Sequence, residues 1–294
     1  MLFLIFSNRS DFYFGLNMAA MLKIIAKIQR KGSEKMKRFL HWGAMLLVVV
    51  ILFSTSVNAH ESGVYNWYCV RNKDHKQPRL DSEISFIEQY NGYHVDKKHG
   101  DDNNEKVVYL TFDAGYENGN VAKILDVLKE EKVPGAFFVL GNLITSNTDL
   151  IKRMIDEGHT VCNHTYSHKN MTKFTKEEFA TELKKLEDVY TEYTGAIMPK
   201  YYRPPEGKFS LENMKYADEI GYKTIFWSFA YADWDNNKQM SPEAAKNKIL
   251  SNIHNGAIIL LHPTSATNAA ILGDVIKELK NQGYGFGTLD ELTA

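Results

Sequence analysis

Six titratable residues stand where apolar runs of this 294-residue chain stop, or soon after. Asp113 interrupts "VVYLTFDAGYENGN" (107–120), His164 and His168 bracket "HTYSH", Arg203 opens "RPPEG", Asp233 lies in "YADWD", and His262 closes "AIILLHP". A carboxylate at the end of an apolar strand, just before Gly115, is partly desolvated and suits a general base; capping the turn or the helix that begins near Asn118 is its alternative use. Two histidines four apart fall on one side of a helical turn, which is metal-ligand spacing, although a solvated or hydrogen-bonded face shows the same spacing. Arg203, fixed by two following prolines, suits the orientation of a carboxylate, and Asp233 is the expected partner; a structural ion pair supporting the loops would read the same way. His262 follows an apolar run with no polar neighbour in sequence; a satisfied core histidine is the ordinary use of such a residue, but at a strand end opposite Asp113 it suits a general acid. An acid, a base and a pair of imidazoles describe metal-assisted hydrolysis of an amide or ester, in which the metal polarises the carbonyl and lowers the pKa of its bound water. Tyr116, Trp227, Phe229 and Trp234 adjoin these positions, as packing aromatics or as platforms for sugar rings.

The elements that must position these residues follow from periodicity. β-rich apolar runs occupy 107–112, 136–140, 159–163, 201–203, 223–227, 257–262 and 284–288, with helical patterns between them. In "NVAKILDVLKEEK", Val121, Ile124, Leu125 and Leu128 recur at the spacing of one helix face, and "TKEEFATELKKLEDVYTEYTG" closes on Gly195. Seven strands alternating with helices predict an α/β fold with a parallel sheet, open or closed into a barrel. Such folds collect functional residues at the carboxyl ends of their strands. A polar, irregular lead-in precedes the first of these strands, with a short helix expected within 84–93.

The charge balance narrows the partners. Overall the net charge is −1, but residues 1–59 carry eight Lys and Arg against two acids, which leaves the remainder at −7. An acidic body argues against nucleic acid. "KMKRFLHWGAMLLVVVILFSTSVNAH" has a basic start, an apolar run and a small-residue end at Ala59, and reads as an export signal or an uncleaved anchor over 36–59. Residues 1–35 are expected to be an extension upstream of the true start at Met36. Any membrane contact is expected through the signal or anchor alone. Two cysteines, Cys69 and Cys162, are too few for a disulfide framework; Cys162, two residues before His164, is read as a small buried strand residue rather than a ligand.

Taken in order, "TFDAG", "HTYSH", "RPPEG", "DW" and "LLH" resemble the five motifs of the polysaccharide deacetylases, carbohydrate esterase family 4, across residues 105–292. The resemblance implies a distorted (β/α) barrel of about seven parallel strands over 105–294, with 60–104 as a lead-in packed on it, and removal of N-acetyl groups from amino-sugar polymers. "GYENG", "NWYCVRNKDHKQP" and "LIKRMIDEGHTVCNH" are more closely similar to the delta-lactam-biosynthetic subgroup, which deacetylates N-acetylmuramic acid in spore cortex peptidoglycan. By position in the motifs, the resemblance makes Asp113 the base, His262 the acid, Arg203 and Asp233 a supporting pair, and His164 and His168 ligands of a divalent metal, zinc first. Tyr116, Trp234 and Glu206 are the candidate substrate contacts beside them. The implied partner is a peptidoglycan glycan strand outside the cytoplasm. Two departures stand out: Ala114 occupies the position of a family aspartate that ligates the metal, and Glu206 replaces an aromatic or basic residue.

Overall fold

The computed structural model describes residues 63–69 and 74–294. The signal or anchor segment and the upstream extension lie outside the described residues. In chain order the strands are β1 (Tyr65–Asn66), β2 (Gly92–Tyr93), β3 (Lys106–Ala114), β4 (Ala136–Val139), β5 (Thr160–Asn163), β6 (Tyr201–Tyr202), β7 (Lys208–Phe209), β8 (Lys223–Ile225), β9 (Ala257–Leu261) and β10 (Tyr284–Phe286). The α-helices are α1 (Val121–Glu131), α2 (Gly141–Ser146), α3 (Thr148–Asp156), α4 (Lys176–Thr194), α5 (Leu211–Glu219), α6 (Pro242–Leu250), α7 (Ala266–Asn281) and α8 (Leu289–Leu292).

All seven strands expected from the apolar runs form, and they pair in parallel. From β3 the sheet runs through β4, β5, β6 and β8 to β2, while β9 pairs with β3. Beyond β8 the chain continues until Phe229 bridges Ile259 of β9, so the sheet curls back on itself as a distorted barrel. β10 joins β3 at Lys106–Val108, below the point where β4 begins pairing at Thr111. The two-residue strands β1, β2 and β7 carry no alternation for a sequence to show; β1 and β7 form a separate antiparallel pair. The short helix expected within 84–93 forms as a 3-10 helix over Ser82–Tyr90, entered through Asp81, whose carboxylate accepts from the Glu83 amide.

Strand alternation sorts side chains into two layers. Phe112, Ala114, Val139 and Val161 face outward into a large core with Ile124, Leu125 and Leu128 of α1 and Leu272, Val275 and Ile276 of α7. Tyr109, Phe138, Cys162, Tyr201, Ile225 and Ile258 face inward and fill the barrel. Cys162 is a buried free thiol, as its sequence context suggests. At the amino-terminal end the lead-in plugs the barrel. Buried Asp96 accepts from the Tyr109 hydroxyl at 2.5 Å, and the Gln77 side-chain amide reaches the carbonyls of Asp96, His99 and Asn255. Gly256, at φ +70°, sits so close to this plug that a Cβ there would lie 2.4 Å from the Asp96 carbonyl.

Candidate active site

Asp113 leaves the inner face of β3 with one carboxylate oxygen 2.8 Å from Arg203 Nη1 and the other 3.6 Å from His164 Nε2. Arg203 follows β6 directly and is 0% exposed. Its other two nitrogens are also used: Nε donates to the Ile225 carbonyl, and Nη2 to Thr111 Oγ1 and the Phe226 carbonyl. The guanidinium also lies 4.0 Å from the centroid of the Phe138 ring. A buried cation is tolerable when its donors are met and a carboxylate faces it. Burial works against ionisation of Asp113, but Arg203, through its charge and its hydrogen bond, outweighs it and holds the carboxyl below the ordinary carboxylate range.

The expected pairing of Arg203 with Asp233 does not occur. Asp233 instead serves His262: one oxygen takes the imidazole Nδ1 at 2.7 Å, the other the His262 backbone amide at 2.8 Å. Asn268, in the first turn of α7, donates to the same carboxylate at 2.6 Å, and the Tyr231 hydroxyl donates to Asn268. The physical reason is reach. Arg203 points inward beneath Asp113, whereas Asp233 comes from the loop after β8 and meets the end of β9. Burial disfavours the charged imidazole of His262, yet the hydrogen bond and charge of Asp233 overcome it and raise the pKa above the usual histidine value.

His164 and His168 do come together, with ring centroids 4.9 Å apart, but no helix joins them. They lie on a loop in which Thr165 (φ +71°) and His168 (φ +55°) are left-handed, an uncommon conformation for such residues. Asn163 Oδ1 accepts from the Thr165 amide, and Thr165 Oγ1 from the His168 amide, which fixes this turn. His164 Nδ1 faces the Arg203 carbonyl at 2.9 Å and so carries the proton, leaving Nε2 as a lone pair toward Asp113 and His168. Burial pushes the pKa of His164 down to about 4, and partial desolvation lowers that of His168, which disfavours the charged form of both. Neutral imidazoles with a free lone pair fit a divalent cation. Among the described residues no group of three or more His, Cys, Asp or Glu converges on such a position, and Ala114, wholly buried in the outer core, offers a methyl group.

The residues expected to touch substrate flank this centre. Trp234 is 62% exposed with its ring 6.3 Å from that of His262. Tyr116 is 45% exposed and its hydroxyl accepts from Asn236, which links the loops after β3 and β8. Glu206 takes a left-handed conformation (φ +56°), pairs with Lys208, and lies near enough to His168 for the two to influence each other's ionisation. Sequence reading missed Thr111 and Asn268. Thr111 was findable: two residues before Asp113 on a strand, it must share its inward face.

Comparison with known proteins agrees with this geometry. The polysaccharide deacetylase family model matches residues 100–225. The chain is 40% identical over 228 residues to the peptidoglycan-N-acetylmuramic acid deacetylase PdaA of Bacillus subtilis, covering 77% of this chain and 85% of that one. The solved structure of B. subtilis PdaA, described as a family 4 carbohydrate esterase, superposes with a TM-score of 0.74 at 39% identity, over 79% of this chain and 97% of that one. A family 4 pseudoenzyme of Bacillus anthracis also superposes, with a TM-score of 0.60 at 31% identity over 65% of this chain and 66% of that one. Fold, motif order and these relatives together establish that the chain belongs to the polysaccharide deacetylase family, carbohydrate esterase family 4.

Proposed function

We propose that the protein hydrolyses N-acetyl groups from N-acetylmuramic acid in peptidoglycan, outside the cytoplasm, as a step toward muramic delta-lactam in spore cortex. The observation that carries the reading is the convergence of two independently supported groups, Asp113 on Arg203 and His262 on Asp233, beside a pair of neutral histidines. Similarity to PdaA supports the muramic acid substrate.

In this mechanism Asp113, kept ionised by Arg203, takes a proton from the water that adds to the acetyl carbonyl carbon. His262 is oriented through Nδ1 by Asp233 and donates from Nε2 to the departing amine nitrogen as the C–N bond breaks, so acetate and a free amine are the products. Acid and base catalysis of this kind each contribute about 10² to 10⁴-fold. His164 and His168 would hold a divalent cation, zinc first, which supplies Lewis acidity at the acetyl oxygen. Trp234, Tyr116 and Glu206 line the approach to the centre and contact the sugar chain. Residues 60–104 act as a structural lead-in to the deacetylase domain at 105–294, behind an export signal or anchor at 36–59.

The test is acetate release by the purified protein from peptidoglycan freed of stem peptides, with added zinc and with a chelator, mapping the sugar that loses its acetyl. Loss from muramic acid is expected. Loss from N-acetylglucosamine would reassign the substrate, and no release from folded protein under any divalent metal would support a second reading. That reading is a catalytically silent wall-binding homologue, favoured by one observation, the methyl group of Ala114 in place of a ligand.

A further inference from the structure

Helix α4 lies outside the reaction described above, yet three of its residues hold the loop that carries the two histidines. The Leu183 carbonyl accepts from Asn163 Nδ2 at 3.0 Å. Lys185 Nζ sits 3.8 Å from the centroid of the Tyr166 ring. Glu182 Oε1 accepts both from the Ser167 backbone amide at 2.7 Å and from the Ser167 hydroxyl. Ser167 directly precedes His168, the residue whose left-handed backbone turns its ring onto His164. On the opposite side, Gly141 donates its amide to the Tyr166 carbonyl, and a Cβ at Gly141 would strike the Tyr166 ring at 2.5 Å. The helix itself is anchored by a capping box at Thr175 and Glu178, one turn before Glu182.

We propose that Glu182 is a positioning residue for the histidine pair: through Ser167 it holds the left-handed turn at His168, and so sets the angle at which the two imidazoles meet a cation. The inference rests on the reading of His164 and His168 as metal ligands. With only two imidazole ligands and a methyl at position 114, ligand reorganisation on binding is offset by few bonds, so rigidity of the loop counts for more than in a fully furnished site. Ser167 and Glu182 are polar surface residues in sequence, and only the fold shows that they meet.

The experiment measures zinc binding by calorimetry and cobalt binding by its visible absorption, using the full-length chain and its Glu182→Ala, Glu182→Gln and His164→Ala variants, with the melting temperature of the metal-free forms recorded in parallel. Glu182→Ala is expected to weaken zinc binding by about tenfold or more and to change the cobalt spectrum, with little change in metal-free melting. Glu182→Gln keeps an oxygen acceptor for both Ser167 donors and is expected to recover most of the affinity. If His164→Ala abolishes binding while Glu182→Ala binds zinc like the parent, the positioning role is overturned and the ligand pair stands. If the parent binds neither metal, or His164→Ala binds as well as the parent, the ligand reading fails and the inference falls with it. A Glu182→Ala variant that melts far lower and is not rescued by Glu182→Gln would also overturn it, since a general loss of structure would then explain the weakened binding.

Discussion

The two sides of the site are built to different standards. On the acid side, the Asp233 carboxylate receives three hydrogen bonds, from the His262 ring, the His262 amide and Asn268, and Asn268 is itself held by Tyr231. On the proposed metal side, two imidazoles meet with only a methyl group at position 114, and their orientation depends on a non-glycine loop with two left-handed residues. Asp113 belongs to both, since its oxygens face Arg203 on one side and His164 on the other. Under the proposed reaction, the proton-transfer groups are thus each held by several partners while the cation position is sparsely supplied.

The change that cuts deepest is at the shared residue. Asp113→Asn should lower turnover by about 10³-fold while leaving the circular dichroism spectrum unchanged, because the amide oxygen still accepts from Arg203. Full activity in that variant would remove Asp113 from the reaction. Asp113→Ala should go further and cost about 3 kcal/mol or more in denaturant unfolding, since it strands a wholly buried guanidinium.

A middle-sized effect isolates the acid side. The pKa of His262 is raised, so its charged form, and any stability linked to it, is present at low pH and lost as pH rises through the raised value. If imidazolium is the active form, the alkaline limb of the rate profile follows the same group. Asp233→Asn removes the main group that raises it, so that limb should move to lower pH and the rate at pH 8 should fall by about tenfold or more. An unmoved limb would mean that another group donates the proton.

The smallest expected effect is a gain on the sparse side. Ala114→Asp should tighten zinc binding by about tenfold while lowering the melting temperature of the metal-free protein, because the new carboxylate enters the outer apolar core unless a cation draws it toward the histidines. Lowered stability that zinc does not restore would show that position 114 cannot reach the pair.

Much of this was legible in the sequence, for reasons that also explain what was not. Apolar runs closed by Asp113, Arg203 and His262 disclose strands and the face they deliver to, because alternation and strand ends are local properties. Partnership is not local. Arg203 and Asp113 are ninety positions apart, and their contact depends on how β3 and β6 are placed around the barrel, so Asp233 was the natural but wrong partner to expect. His164 and His168 were rightly paired from an i, i+4 spacing, but a loop braced by Asn163, Thr165 and Glu182 does the work that a helical turn was expected to do. Asn268 gives no sign in sequence, since a polar residue in the first turn of a helix is ordinary.

The plug of Asp96, Gln77 and Tyr109 beneath the filled barrel has a consequence for traffic. Among the described residues, aromatic and aliphatic side chains pack the interior and the lead-in closes its floor, so the open approach to the centre is from the carboxyl ends of the strands. Under the proposed reaction, acetate departs on the same side that admits the glycan, so the small product and the polymer share one opening.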